Sequence, residues 1–150
     1  MKIKKMNQNA ILPRYSTEGS SAFDLFTPHN VEWENISGTH YATVSLGWGF
    51  EIPHEHALLV FSRSGHGFKH AISLSNSVGV IDFDFTGEVK VRLECKLNVP
   101  PMITAGTAVA QAILMETPRV YFAVVDEIKE GNHMGFGSNE MGDESNQMDA

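Results

Sequence analysis

The sequence predicts an all-β domain with at most one short helix. Three observations carry this reading. No stretch keeps the apolar spacing of a long helix. Short apolar or alternating runs recur instead, separated by Gly, Pro, Asn and Ser. Residues 88–97 alternate without a break, with Val89, Val91, Leu93, Cys95 and Leu97 apolar and Glu88, Lys90, Arg92, Glu94 and Lys96 polar. That period of two marks a half-buried strand. Many short strands with such turns suit a sandwich or barrel.

In chain order, residues 2–6 are expected as an edge strand. Residues 11–19, broken by Pro13 and Gly19, read as a loop. Residues 22–26 form a short strand stopped by Pro28. Residues 31–33 and 41–46 are further strands. Residues 47–52 end at Pro53, and His54, Glu55 and His56 turn the chain. Residues 57–62 make an apolar strand. Residues 63–70, punctuated by glycine, form one helical turn. Residues 71–75 and 78–81 are short strands, and 88–97 is the long one. Residues 76–88 read as a hairpin feeding that strand, with Asp82 and Asp84 at its polar, turn-proximal end. Pro100 and Pro101 forbid regular pairing. Residues 108–115 and 120–128 are late strands separated by Pro118. Composition shifts near Gly131 towards Gly, Asn, Met and acids. The chain therefore divides into a β domain over residues 1–130 and a flexible arm over 131–150.

A chain of 150 residues is most simply one domain, long enough for a substantial core without metal or disulfide staples. Its 18 acidic and 11 basic residues give a net charge of -7, which argues against a broad nucleic-acid footprint. A phosphate-bearing ligand would need local help from Arg, backbone N–H groups and a divalent cation. The single cysteine, Cys95, excludes an internal disulfide framework and sits in a core-facing position. A cytoplasmic setting is expected (host cytoplasm for a viral chain). No apolar run approaches the roughly 20 residues of a membrane span. The basic start, Met1 to Asn7, precedes no apolar stretch of the kind a secretory signal needs.

Several short stretches carry candidate chemistry. Ser62-Arg63-Ser64-Gly65-His66-Gly67 follows an apolar strand. An Arg fork, two hydroxyls and two glycines make a phosphate cradle; the plainer alternative is a polar turn with Ser62 or Ser64 capping a short helix. Asp24 is the lone carboxylate in Ser20-Ser21-Ala22-Phe23-Asp24-Leu25. A buried Asp must be paired, so it orients an Arg such as Arg63 or the water around a metal, unless it faces solvent on an edge. Gln111, in Gly106-Thr107-Ala108-Val109-Ala110-Gln111, bonds either a ligand or the backbone. Asp82-Phe83-Asp84-Phe85-Thr86-Gly87 resembles the start of a calcium loop only superficially, because Leu93 stands where the twelfth-position acid belongs. The seven histidines form no zinc pattern, and His66 and His70 read as polar surface or hydrogen-bonding residues. In Gly131-Asn132-His133-Met134-Gly135-Phe136-Gly137-Ser138, a Phe between glycines can close like a lid on a planar ring, or the segment is a plain tail.

Taken in order, these stretches resemble the five motifs of the trimeric dUTP diphosphatase (dUTPase) family. They are Ala22 to Leu25, Arg63-Ser64-Gly65, Asn76 through Gly87, Gly106 to Gln111, and Gly135 to Ser138. Leu12 to Tyr15 and Thr17 to Gly19 match as well, and the likeness spans roughly residues 10–138. The resemblance implies a β-rich, jelly-roll-like (β-clip) fold and a homotrimer whose active sites are shared. The first, second and fourth motifs would come from one chain, the third from a neighbour and the tail from the remaining chain. It implies hydrolysis of dUTP to dUMP and pyrophosphate with Mg2+ bound to the triphosphate. Asp82 matches the catalytic Asp that activates water for attack on the α-phosphorus. Asp24 matches the Asp near the metal's water shell. Arg63, Ser64, Gly65 and Gln111 match phosphate contacts. Asn76 with Gly79, Val80 and Ile81 matches the uracil and deoxyribose pocket. Phe136, with Gly137 and Ser138, matches the segment that closes over uracil.

Three positions depart from the family pattern. Phe85 stands where Tyr is usual. Thr107 and Ala108 replace an acid and an Arg. Gly131 replaces the Arg that opens the fifth motif, and Lys129 and His133 are the nearby substitutes. These departures keep two alternatives in view: a related dCTP diphosphatase, and a non-catalytic nucleotide-binding or regulatory trimer.

Overall fold

The structure, a computed structural model, describes residues 1–129. It holds eleven strands and one short helix among those residues, and the all-β expectation stands. Met1–Arg119 is one compact unit. Among the described residues no helix is long and apolar enough to cross a membrane.

The strands are β1 (Lys2–Lys5), β2 (Arg14–Tyr15), β3 (Phe23–Phe26), β4 (Glu34–Ile36), β5 (Thr39–Ser45), β6 (Trp48–Glu51), β7 (His56–Phe61), β8 (Ile72–Leu74), β9 (Val78–Asp82), β10 (Lys90–Cys95) and β11 (Ala108–Glu116), with helix α1 (Ser64–His70) between β7 and β8. They form three sheets, β1-β6, β4-β5-β10-β8 and β2-β3-β11-β7-β9, and every pairing is antiparallel. The jelly-roll-like core lies among them. Val91, Leu93 and Cys95 of β10 are buried with Leu58, Val60, Ala110 and Ala112. The alternation over 88–97 therefore sorts core from surface as read, except that Leu97 is exposed. Buried Trp48 donates its indole N–H to the Ile11 carbonyl at 2.8 Å, which satisfies its one polar atom. Gly47 turns β5 into β6 at φ +79°, and a Cβ there would lie 2.5 Å from the Ala10 Cβ. Only glycine fits that turn.

Five local expectations need correction. Residues 76–88 are not a hairpin with the long strand. β9 pairs with β7, while β10 pairs with β5 and β8, so the chain changes sheets between Leu74 and Val78. The alternation in 88–97 is the same whichever strand lies alongside, so it carried no information on the partner. Residues 31–33 are no strand; Val31 and Trp33 pack on the core from a loop held by Val31 N–H to Ile103 O (2.8 Å) and the Trp33 indole to Pro101 O (3.1 Å). The loop at 11–19 contains the short strand β2. Neither Ser62 nor Ser64 caps α1: Arg63 holds the N-cap position without a side-chain bond, and the Ser62 hydroxyl accepts from Leu74 N–H at 2.8 Å. Residues 120–128 form no strand, and Tyr121, Phe122 and Val124 are exposed. A strand needs a second edge to bond, and among the described residues none pairs with this segment.

Candidate active site

The predicted site residues fall into two groups at different places on the five-stranded sheet. The first group gathers where β3, β11 and the end of β7 meet. Asp24 lies opposite Gln111, and Gln111 opposite Phe61. Asp24 is buried, and each of its carboxylate oxygens has a donor. Arg63 Nε lies 3.0 Å from Oδ1, and the Ser16 hydroxyl donates to Oδ2 at 2.7 Å. The lone carboxylate in an apolar strand is thus paired as burial demands. Arg63 Nη1 donates to the Ala108 carbonyl at 3.2 Å, and its side chain stays 33% exposed, enough to meet a ligand with its remaining N–H groups. Gln111 Nε2 donates to Ser62 O at 2.9 Å, so it ties β11 to the β7–α1 junction. Ser64 and Gly65 are exposed in the first turn of α1, and a Cβ at Gly65 would touch nothing.

Sequence reasoning missed two members of this group. Ser16 gave no signal, since a serine in a polar loop is ordinary. His66 was readable only as a hydrogen-bonding residue; its Nε2 lies 2.9 Å from the Ala108 carbonyl. Burial pushes the His66 pKa down, the bond to Ala108 opposes this, and the charges of Arg63 and His70 add to the lowering.

The second group surrounds β9. This strand is the edge of its sheet, so among the described residues one side of its backbone has no ladder partner. β10 is similarly open beside it: among the described residues β8 pairs only with Leu93 to Cys95, leaving residues 90–92 without a strand on that side. Between these edges lies a cleft of about 460 Å³, lined by Asn76, Gly79, Val80 and Ile81 on one side and Lys90, Val91 and Arg92 on the other. Gly79 backs onto Val60, whose Cβ would lie 3.3 Å from a Cβ at that position. A bare backbone therefore forms this wall. Asp82 ends β9 and accepts Phe85 N–H at its carbonyl (3.1 Å), which turns the chain. Asp82 and Asp84 are exposed and line a second cleft of about 400 Å³ with His54, His56 and Arg119. The Phe85 ring rests against Gly87, where a Cβ would sit 2.9 Å from Cζ. Lys90, Arg92 and Arg119 had no motif to announce them.

One chain does not join the two groups. Asp24 shares its row with Val78, through Gln111 and Phe61, whereas Asp82 shares its row with Ala57 and Met115. The rows are four residues apart along the strand, about 13 Å, and β3 and β9 are three strand spacings apart, about 14 Å. Asp82 and Asp24 are thus roughly 20 Å apart. Phe136, Gly137 and Ser138 lie outside the described residues, as does His133.

For a divalent cation, the donor set is telling. Among the described residues, no three His, Cys, Asp or Glu side chains converge as a ligand cage. Asp24, engaged once at each oxygen, keeps lone pairs for a water molecule. A divalent cation would therefore have to be held chiefly by a bound ligand, and the donor set around Asp24 fits one carried that way.

Comparison with known proteins adds to this geometry. The family model described as dUTPase matches residues 8–142. The deoxyuridine 5'-triphosphate nucleotidohydrolase of Nautilia profundicola is 35% identical over 92% of this chain and 96% of that protein. The enzyme of the same name from Finegoldia magna is 36% identical over 91% of this chain and 97% of that protein. Among solved structures, a mutant dUTPase of phage 80alpha superposes with TM-score 0.77 at 19% identity, covering 91% of this chain and 96% of that one. A second 80alpha mutant, holding dUpNHpp, gives TM-score 0.76 at 18% identity, over 91% and 94%. A dUTPase mutant from the Staphylococcus aureus phage phi11, described with a structural Mg(II) ion, gives TM-score 0.73 at 16% identity, over 86% and 98%.

Proposed function

The chain belongs to the dUTPase family, and from that premise we propose that it cleaves dUTP to dUMP and pyrophosphate by attack of water on the α-phosphorus. The observation that carries this reading is the cleft between β9 and β10, where a free strand edge beside Asn76 runs on to Asp82, which lines the adjoining cleft that shares Val80.

Each residue has a physical reason for its part. The unpaired backbone of Gly79, Val80 and Ile81 presents N–H and C=O groups to the uracil edge, as an edge strand presents them to another strand. Asn76 adds a side-chain amide. The Phe85 ring packs under the deoxyribose and leaves no room for a 2′-hydroxyl. Asp82 takes a proton from water as the water oxygen bonds to the α-phosphorus; the bond to the bridging oxygen breaks, and pyrophosphate leaves with the electron pair. Arg63, Ser64, Gly65 and Gln111 meet the phosphates, with Arg63 held by Asp24. Mg2+, bound through the phosphates, neutralises charge on them. Phe136, Gly137 and Ser138, in an arm over residues 131–150, close over the base.

These roles require Asp82 and Arg63 in one site, and the roughly 20 Å between the two groups supports a site shared between copies. A homotrimer, with dUTP bound at each junction, meets that requirement. The outer face of the five-stranded sheet supports packing of copies as well. Leu59, Phe61, Val78, Val80, Ile113 and Met115 stand there partly or largely exposed, where an antiparallel sheet facing water is usually polar.

The test is pyrophosphate release from dUTP, dCTP, dTTP and UTP, with Mg2+ and with EDTA. Release from dUTP alone, abolished by EDTA, is expected. Asp82→Asn should keep nucleotide binding and abolish turnover, and a variant that still turns over would remove Asp82 from the base role. Release from dCTP would move the specificity while keeping the chemistry. Silence on all four, with dUTP bound, would turn the reading to a nucleotide-binding trimer.

A further inference from the structure

The Ala108 carbonyl receives two donors from one side, and neither motif nor ladder explains the second. Arg63 Nη1 donates at 3.2 Å and His66 Nε2 at 2.9 Å. The register between β11 and β3 shifts between Ala108 and Ala110, and such a bulge turns a backbone group off the ladder. Since a carbonyl only accepts, His66 must carry its proton on Nε2, and Nδ1 is then a bare acceptor. Nδ1 is buried and, among the described residues, has no partner. A buried polar atom left unpaired destabilises the fold, so the imidazole sits here at a cost that an apolar side chain would avoid. The carbonyl itself does not need it, because Arg63 already satisfies that oxygen.

We propose that His66 is a positioning residue for Arg63. The argument rests on Arg63 meeting the substrate phosphates, as proposed above. Arg63 is fixed at Nε by Asp24 and at Nη1 by Ala108. Its remaining N–H groups face a ligand usefully only if Nη1 stays on that carbonyl. His66 anchors the carbonyl from the α1 side, because its donated bond holds the bulged peptide in the orientation that Arg63 needs. As a neutral donor it does so without a second positive charge beside the guanidinium. A lysine in its place would repel Arg63, and an aliphatic residue would leave the peptide free to turn.

The test compares the full chain with His66→Leu, His66→Gln, Arg63→Gln and the His66→Leu/Arg63→Gln double variant, by dUTP hydrolysis and thermal unfolding. Glutamine keeps a donor at nearly the same reach; leucine keeps the volume alone. His66→Leu should lose about tenfold in kcat/KM for dUTP, with Tm unchanged or raised. His66→Gln should restore activity to near the parent level, and leucine should cost nothing more once Arg63 is already glutamine. Unchanged kinetics in His66→Leu overturn the proposal, and so does an equal further loss in the Arg63→Gln background. Activity that falls together with Tm in both His66 variants overturns it as well, since that marks a purely structural role. Normal kinetics in Arg63→Gln would instead sink the phosphate reading of Arg63 itself.

Discussion

Ala71 closes α1 in the left-handed conformation, at φ +49°. A Cβ is strained there, and glycine is not. Ala71→Gly should therefore stabilise the fold by about 0.5–1 kcal/mol, read as a higher urea midpoint; a lower midpoint would mean that the Ala71 methyl packs usefully. His66 sets a pH dependence. Its pKa lies below the ordinary 6.5 chiefly through burial. The unfolded chain takes the proton first on acidification, so the contribution is complete above pH 6.5 and is lost as the pH falls through the lowered folded value. His66→Leu should flatten the fall of Tm below pH 6.5, and equal slopes in the two chains would exonerate it. At this scale the sequence is informative where chemistry is out of place. The Asp24 carboxylate amid Phe23, Leu25 and Phe26 needed a partner if buried, an Arg or a metal's water, and Arg63 is that partner. Ser16, which takes the other oxygen, was invisible because hydroxyls are unremarkable in loops.

The strand bearing Asp82 shows what pattern reveals of an element and what it hides. The turn residues and the β-branched run of 78–81 announced a short strand, and β9, which ends one residue later, is one. Its partner was hidden, because Leu59 and Val60 of β7 offer an edge as suitable as β10 does, and only the packed chain chooses between them. The sheet change is what opens the cleft, so the part of the architecture proposed to hold the base was the least legible. The tip of this element also makes a prediction. A methyl at Gly87 would lie 2.9 Å from Phe85 Cζ, the far end of a half-exposed side chain that can move aside. Gly87→Ala should therefore leave Tm within about 2 °C of the parent and raise KM for dUTP by tilting the ring. A KM that stays put would separate Phe85 from the sugar.

At the scale of the molecule, Asp82 and Arg63 belong to opposite regions of one sheet, and a lesion in either leaves the other intact. On the proposed site shared between copies, a chain can therefore be inactive in company with its own kind and useful in company with another. If the Asp82→Asn and Arg63→Gln chains are unfolded together and reassembled in equal amounts, each site that draws Asp82 from one copy and Arg63 from its neighbour must meet two independent even-odds conditions to be whole. About one site in four should regain the parent activity from two impaired parents. A mixture as inert as its components would return both residues to a single chain. Mixing with sound copies follows different arithmetic. Each copy lends one Asp82 and one Arg63, so a copy lacking either one silences a single site wherever it sits, and activity should fall only in proportion to the damaged share.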